Sequence, residues 1–249
     1  MPGKIDTNST PADTSRFATT RWSVVLAAGS SESTRYHEAM ESLCRTYWFP
    51  LYAYLRRKGH DASQAEDYVQ GFFMRMLEKH SLSGVDEKPG KFRSFLLVSL
   101  KNFVANEIDH AQAQKRGGHH TILSLDLEQA ERQYTSEPSH EMSPERLFER
   151  SWAIAVLEHA MIQLESEFAN SDKAGLFDHL RGYLTAEPNM IPYRDVAEKL
   201  RMTEGAVKTA VYRLRNRYRD VLRAEVAQTV ATKEQIDEEI RELLTVLSS

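Results

Sequence analysis

Between Arg201 and Arg223 the chain places seven basic residues (positions 201, 208, 213, 215, 217, 219 and 223) against only Glu204 and Asp220, a local charge of +5 in a chain whose net charge is −4. Ammonium and guanidinium groups at that density hold phosphate oxygens. Their spacing gives them a common surface: Lys208, Tyr212, Arg215 and Arg219 recur at helical intervals, while Val207, Val211, Leu214, Tyr218 and Val221 repeat one residue earlier. One flank can pack and the other can meet an anion.

A second basic stretch lies upstream. Lys91 to Arg116 holds five bases (91, 93, 101, 115 and 116) against Glu107 and Asp109, a net of +3, on a helical pattern whose inner positions are Phe92, Phe95, Leu96, Leu100, Phe103, Val104 and Ile108. The helical spacing of Phe92, Phe95 and Phe103 assigns them to core packing rather than to stacking on a ligand.

The elements that position these groups are all helical, and the fold class is all-α. A first long helix is expected over about Tyr36 to Lys58, with a possible bend at Pro50, ended by Gly59-His60. Asp61 and Gln64 form a capping box for a second helix. Gly84, Pro89 and Gly90 make 81–91 a loop. Ser143-Pro144 is a start signal for a helix through Trp152, Val156, Leu157 and Leu164. A short helix with Val196, Ala197 and Leu200 stops at Arg201-Met202, where Thr203 can cap the basic helix, so this region is expected to be a helix-turn-helix. Arg201 occupies a position where such turns favour glycine, at a cost of about 1–2 kcal/mol. Gly205, in the first turn of the basic helix, would let backbone approach a phosphate closely.

Two helical domains joined by a polar linker are therefore expected. The divisions are a disordered tail over 1–18, a first domain over 19–116 opened by the short helix RWSVVLAA, a linker over 117–143, a second domain over 144–223 containing the helix-turn-helix, and an acidic helical extension over 224–249. That extension carries six acids from Glu225 onward against Lys233 and Arg241. Thr232 and Gln235 form another capping box, and Ile236, Ile240, Leu243 and Leu247 stripe one face. It can cap the second domain, which is favoured, or cover the basic recognition face as a brake.

Composition removes several classes of function. With 36 acids against 32 bases, nucleic-acid affinity must come from local patches, not from overall charge. Cys44, the only cysteine, sits in an apolar run and is expected as a buried thiol, which excludes an internal disulfide and a cysteine-rich zinc site. Asp109, His110, His119 and His120 have no fixed further ligand, and no phosphate loop or nucleophile motif is present. The chain names no cofactor and is not expected to be an enzyme. The polar N-terminus and the lack of a long apolar run point to a cytoplasmic protein with no membrane partner.

Three blocks together resemble the extracytoplasmic-function sigma factors, the small two-domain specificity subunits of bacterial RNA polymerase. DASQAEDYVQGFFMRMLEK (61–79) is similar to the family's polymerase-clamp-binding helix, KFRSFLLVSLKN (91–102) to its promoter-melting segment, and TEGAVKTAVYRLR within 192–223 to its recognition helix. The N-terminal TRWSVVL-type helix and the tail resemble a particular group within the family. Phe95 stands where the family often has Trp, and Asn106 where Asp often follows.

The resemblance implies that Glu66, Asp67 and Gln70 meet core RNA polymerase, that Asn102 reads a flipped promoter base with Lys91, Arg93 and Lys101 on phosphates, and that the chain is a monomer when free. It leaves room for an anti-sigma factor or other regulator. On the recognition helix, Thr203, Glu204 and Lys208 are the candidates for base readout, with Tyr212 beside them, and Arg213, Arg215 and Arg217 for phosphates. The rival expectation is a regulator that binds DNA as a dimer without polymerase, which would leave 61–79 and 91–116 without a role.

Overall fold

In a computed structural model of the chain, the residues described are 34–79, 91–113, 127–136, 142–170, 174–184, 191–230 and 232–248. They form nine α-helices and one 3-10 turn, with no strand among the described residues: α1 (Thr34–Arg57), α2 (Ala62–Lys79), α3 (Phe92–Ala113), α4 (Leu127–Ser136), α5 (Pro144–Ala169), α6 (Ala174–Leu180), the 3-10 turn Arg181–Tyr183, α7 (Tyr193–Leu200), α8 (Glu204–Ala227) and α9 (Lys233–Ser248). None of these helices is long and apolar enough to cross a membrane. The tail over 1–18, the RWSVVLAA helix, most of the loop over 81–91, and His119 and His120 lie outside the described residues.

Local chemistry sets the boundaries. The Gln64 N–H donates to Asp61 Oδ1 (2.8 Å) while Gln64 Oε1 accepts from the Asp61 N–H (3.4 Å), closing the capping box of α2. Ser143 Oγ accepts from the Arg146 N–H at the start of α5, where Pro144 lacks a donor that would go unsatisfied. Gln235 Oε1 accepts from the Thr232 N–H before α9. Pro50 lies inside α1, and α1 continues through it to Arg57.

Helix α5 is the centre. Leu147, Phe148, Ser151, Trp152, Ala153, Val156, Ala160 and Leu164 are buried on it, and α1, α6, α8 and α9 all pack against it, α1 most extensively. Trp152 donates from Nε1 to the Tyr47 hydroxyl (3.1 Å), and Tyr47 meets the edge of Phe92 with ring centroids 5.3 Å apart. The buried side chains form one continuous cluster running from Leu43 to Leu243. The expected first and second domains thus share a core. Cys44 lies in that core, where burial, with Glu41 nearby, pushes its thiol up to about 12.

The stretch expected to be a polar linker contains α4. Leu127, Ala130, Glu131 and Tyr134 share one face of it, and Ala130 is buried. Glu131 docks the helix: Arg56 donates to both carboxylate oxygens (2.7 and 3.0 Å), and the Tyr52 hydroxyl donates to Oε1. Arg56 also stacks over the Tyr134 ring, 5.2 Å from its centroid.

The Arg56 hydrogen bonds hold the Glu131 carboxyl below its ordinary 4.5, against the opposing pull of burial. Because this pKa is lowered by docking, the stabilisation is complete above the ordinary carboxylate range and is lost as pH falls through the lowered value. Glu131→Gln at pH 7 is expected to raise amide exchange across α4 by roughly ten- to a hundredfold, since a charge-assisted bond contributes about 1.5–3 kcal/mol. Exchange mass spectrometry that finds α4 as protected as before would refute this anchoring.

Candidate nucleic-acid interface

Helices α7 and α8 are joined by Arg201, Met202 and Thr203. Arg201 closes α7 in the left-handed conformation (φ 52°, ψ 42°), the one positive φ outside glycine among the described residues, and the Met202 N–H donates to the Ala197 carbonyl at 2.9 Å. Thr203 is extended (φ −79°, ψ 151°) and its Oγ1 accepts from the Ala206 N–H at 3.2 Å, capping α8. Val196 and Ala197 of α7 and Val207, Val211 and Leu214 of α8 are buried, and the two helices pack against each other.

The outer surface of α8 divides into two flanks. Residues two apart on a helix point about 200° from each other, so Arg215 stands on the Lys208, Tyr212 and Arg219 side while Arg213 and Arg217 stand on the other. The expected phosphate trio of Arg213, Arg215 and Arg217 is therefore split. Tyr212 is 67% exposed. Thr203, Glu204 and Lys208 are exposed at the head of the helix. Lys208 pairs with Glu204 at 2.7 Å, and the pair holds the Lys208 ammonium above its ordinary range. An exposed pair one turn apart binds weakly and opens readily to a stronger anion.

Two of the trio have intramolecular partners. Arg215 donates from Nε and Nη2 to the Tyr183 carbonyl (3.1 and 3.0 Å), tying α8 to the 3-10 turn. A substitution at Arg215, expected from the sequence to weaken phosphate binding alone, would therefore also loosen this turn. Arg217 is bidentate to Glu167 of α5 at 2.7 and 2.7 Å. Arg213 has no ion pair with another described residue and lines a groove of about 510 Å³ with Phe168, Leu176, Phe177, Met202 and Gly205.

The second basic element is α3. Its Asn102 is exposed and borders a cleft of about 220 Å³ between α2 and α3, walled by Phe72, Met76, Phe95 and Phe103 and rimmed by Arg75, Ser99 and Asn106. Phe95, Ser99, Asn102 and Asn106 follow one another at helical intervals, which carries them all to this side. Phe92 and Phe103 are in the core, as their spacing indicates, whereas Phe95 is only partly buried. Gly71 on α2 permits the close helix approach, since a Cβ there would lie 3.1 Å from the Phe103 ring. Arg75 was not singled out by sequence: it sits over the Phe103 ring, 5.9 Å from the centroid.

The basic side chains of α3 are placed differently from expectation. Arg93, assigned to phosphate, is 5% exposed: it lies 4.3 Å from the centroid of the Trp152 ring and donates to Glu239 and to Glu242 (2.5 Å) of α9. Lys91 pairs with the same two carboxylates, 3.3 Å from Glu239 Oε2 and in contact with Glu242. Lys101 reaches Glu145 at the start of α5 (2.9 Å), and this hydrogen bond lowers the Glu145 carboxyl and raises the Lys101 ammonium. In this conformation Arg93 is withdrawn from solvent because Trp152 and Glu239 enclose it. The amide of Asn102 remains at the surface.

On α2, Ala65, Val69, Phe72, Phe73 and Met76 face inward. Glu66 and Gln70 are half-buried, with Gln70 donating to Glu66 at 3.0 Å, and Asp67 is exposed beside them. These three form a small acidic, hydrogen-bonding surface. No family model, curated protein or solved structure matches the chain.

Proposed function

We propose that this chain is a sigma factor: it binds core RNA polymerase through Glu66, Asp67 and Gln70, and directs initiation by reading promoter DNA with α8 and holding an unstacked base with α3. The observation that carries the reading is the Asn102 cleft. Extruding a base costs a few kcal/mol, and a site that repays it needs polar edges to read the base and apolar walls to receive it. Asn102 and Asn106 supply the edges, Phe95 and Phe103 the walls, and Arg75 a cation at the rim. A regulator that reads only duplex DNA has no use for such a cleft.

On α8, the capped N-terminus with Thr203, Glu204 and Lys208 would enter the major groove, with Tyr212 and Arg219 along the backbone. Gly205 sharpens this proposal. Its φ is not in the left-handed region and a Cβ there would meet nothing within 4 Å, so nothing in the described fold requires glycine. Gly205→Ala should raise thermal stability by up to about 1 kcal/mol, while lowering duplex affinity if backbone at this point approaches a phosphate. Higher stability with unchanged affinity would remove Gly205 from the contact surface.

The decisive experiment is run-off transcription with purified core polymerase on promoters recovered from transcripts induced by overexpression. A sigma factor makes initiation depend on its presence, and Asn102→Ala reduces open-complex formation more than closed-complex binding. A protein that binds the same promoters as a dimer, yet never supports initiation, is a polymerase-independent regulator.

A further inference from the structure

Of the two expectations for the acidic tail, a cap on the second domain is the favoured one and a brake lying over the recognition helix the alternative. Helix α9 packs along α5 and α8 through Ile236 and Leu243, with Ile240 and Leu247 partly buried, and its contact with the basic surface of α8 is the Arg223–Asp237 pair in the last turns. The Lys208, Tyr212 and Arg219 flank is not covered by any carboxylate of α9 among the described contacts. What α9 covers is the head of α3.

Three observations converge there. Both cations at the start of α3, Lys91 and Arg93, are held by Glu239 and Glu242. Glu239 is 1% exposed, a placement that isolated carboxylates avoid and that only the two cations make tolerable. Lys101, further along the same helix, is held by Glu145 from α5. Every basic residue assigned to phosphate on α3 thus carries a carboxylate from the C-terminal half of the chain. Carboxylate and phosphate compete for the same guanidinium and ammonium donors.

We infer that α9 is an intramolecular lock on α3, in which Glu239 and Glu242 occupy the positions on Lys91 and Arg93 that nucleic-acid phosphates take when the chain is active. This inference rests on α3 being the strand-binding element of the proposed function. Engagement of a phosphate backbone then requires α9 to lift, which withdraws Glu239 and Glu242 and opens the side of Arg93 that faces away from the Trp152 ring of α5.

The test uses the full chain without polymerase and a single-stranded dT20 oligonucleotide as probe. Glu239→Gln with Glu242→Gln should bind at least about tenfold more tightly near 0.1 M salt, and the slope of log affinity against log salt should steepen by about 1.4, the value for two added phosphate contacts on a single strand. Adding Arg93→Gln to that variant should abolish much of the gain.

Equal affinity and slope for the folded double variant and the parent, or no binding by either, overturns the lock. Should the double variant not fold, amide exchange of the unmodified chain decides. Saturating dT20 must reduce protection across Ile236–Leu247, and unchanged or greater protection overturns the lock. Because no polymerase is present, a failed lock leaves the transcription assay to judge the sigma-factor proposal, and a failed transcription assay leaves the lock standing as a property of a nucleic-acid-binding protein.

Discussion

Trp152→Ala is expected to destabilise the whole chain by about 3–5 kcal/mol, the range for removing a fully buried tryptophan. Trp152 is 1% exposed in the helix against which α1, α6, α8 and α9 pack. Three losses coincide. The indole leaves a cavity in α5, the Tyr47 hydroxyl loses its donor from Nε1, and Arg93 loses the ring 4.3 Å away.

The form of the transition is as informative as its midpoint. If α1 and α5 share one core, urea unfolding followed by far-ultraviolet circular dichroism gives a single transition that shifts as a unit. Two transitions, with only one displaced by the substitution, would establish two independently stable domains, the organisation expected from the polar stretch over 117–143.

That stretch illustrates what local sequence conveys. The caps at Asp61, Ser143, Thr203 and Thr232 were legible because each depends on residues three apart, and the inward stripes of α2, α8 and α9, and of α3 as far as Val104, were legible because burial repeats with the helix. Ile108, expected inside on α3, is exposed. Helix α4 was obscured for a physical reason. Its inward face is Leu127, Ala130, Glu131 and Tyr134, and the residue that anchors it is a carboxylate whose partners, Tyr52 and Arg56, lie more than seventy positions away.

The candidate site follows the same division. The two helices around Arg201 were found from types and spacing, and Asn102 from the family resemblance of the block around it. Arg93 was placed on phosphate as a basic residue of the block that resembles a promoter-melting segment. Nothing local reveals that Glu239, 146 positions later, faces it. The split of Arg213 and Arg215 across α8 was legible in the helical angle. The attachment of Arg215 to the Tyr183 carbonyl was not, because it depends on where the 3-10 turn comes to rest.

Arg93→Met alone is expected to cost about 3–5 kcal/mol, because it leaves a carboxylate at 1% exposure with only Lys91 opposite. Burial already pushes the Glu239 carboxyl up, and the two cations oppose that push. With Arg93 gone the carboxyl rises further. A group whose pKa is raised by folding favours the fold when protonated and disfavours it once ionised. The penalty in Arg93→Met should therefore be largest at neutral pH and should shrink as pH falls through the raised value.

Combining Arg93→Met with Glu239→Leu removes both buried charges and should restore stability to the parent level or above it. Urea titrations of the single and double variants at pH 7 and pH 5 check both steps. A single variant within about 1 kcal/mol of the parent, too little for a buried charge left unpaired, would mean that water reaches Glu239. The double variant also separates stability from binding. It keeps α9 closed with apolar contact in place of charge and deletes the Arg93 cation, so it should be stable and yet bind dT20 less tightly than the Glu239→Gln, Glu242→Gln variant. Strong binding by this apolar version would show that Lys91, Lys101 and the exposed surface around Asn102 hold the strand without Arg93.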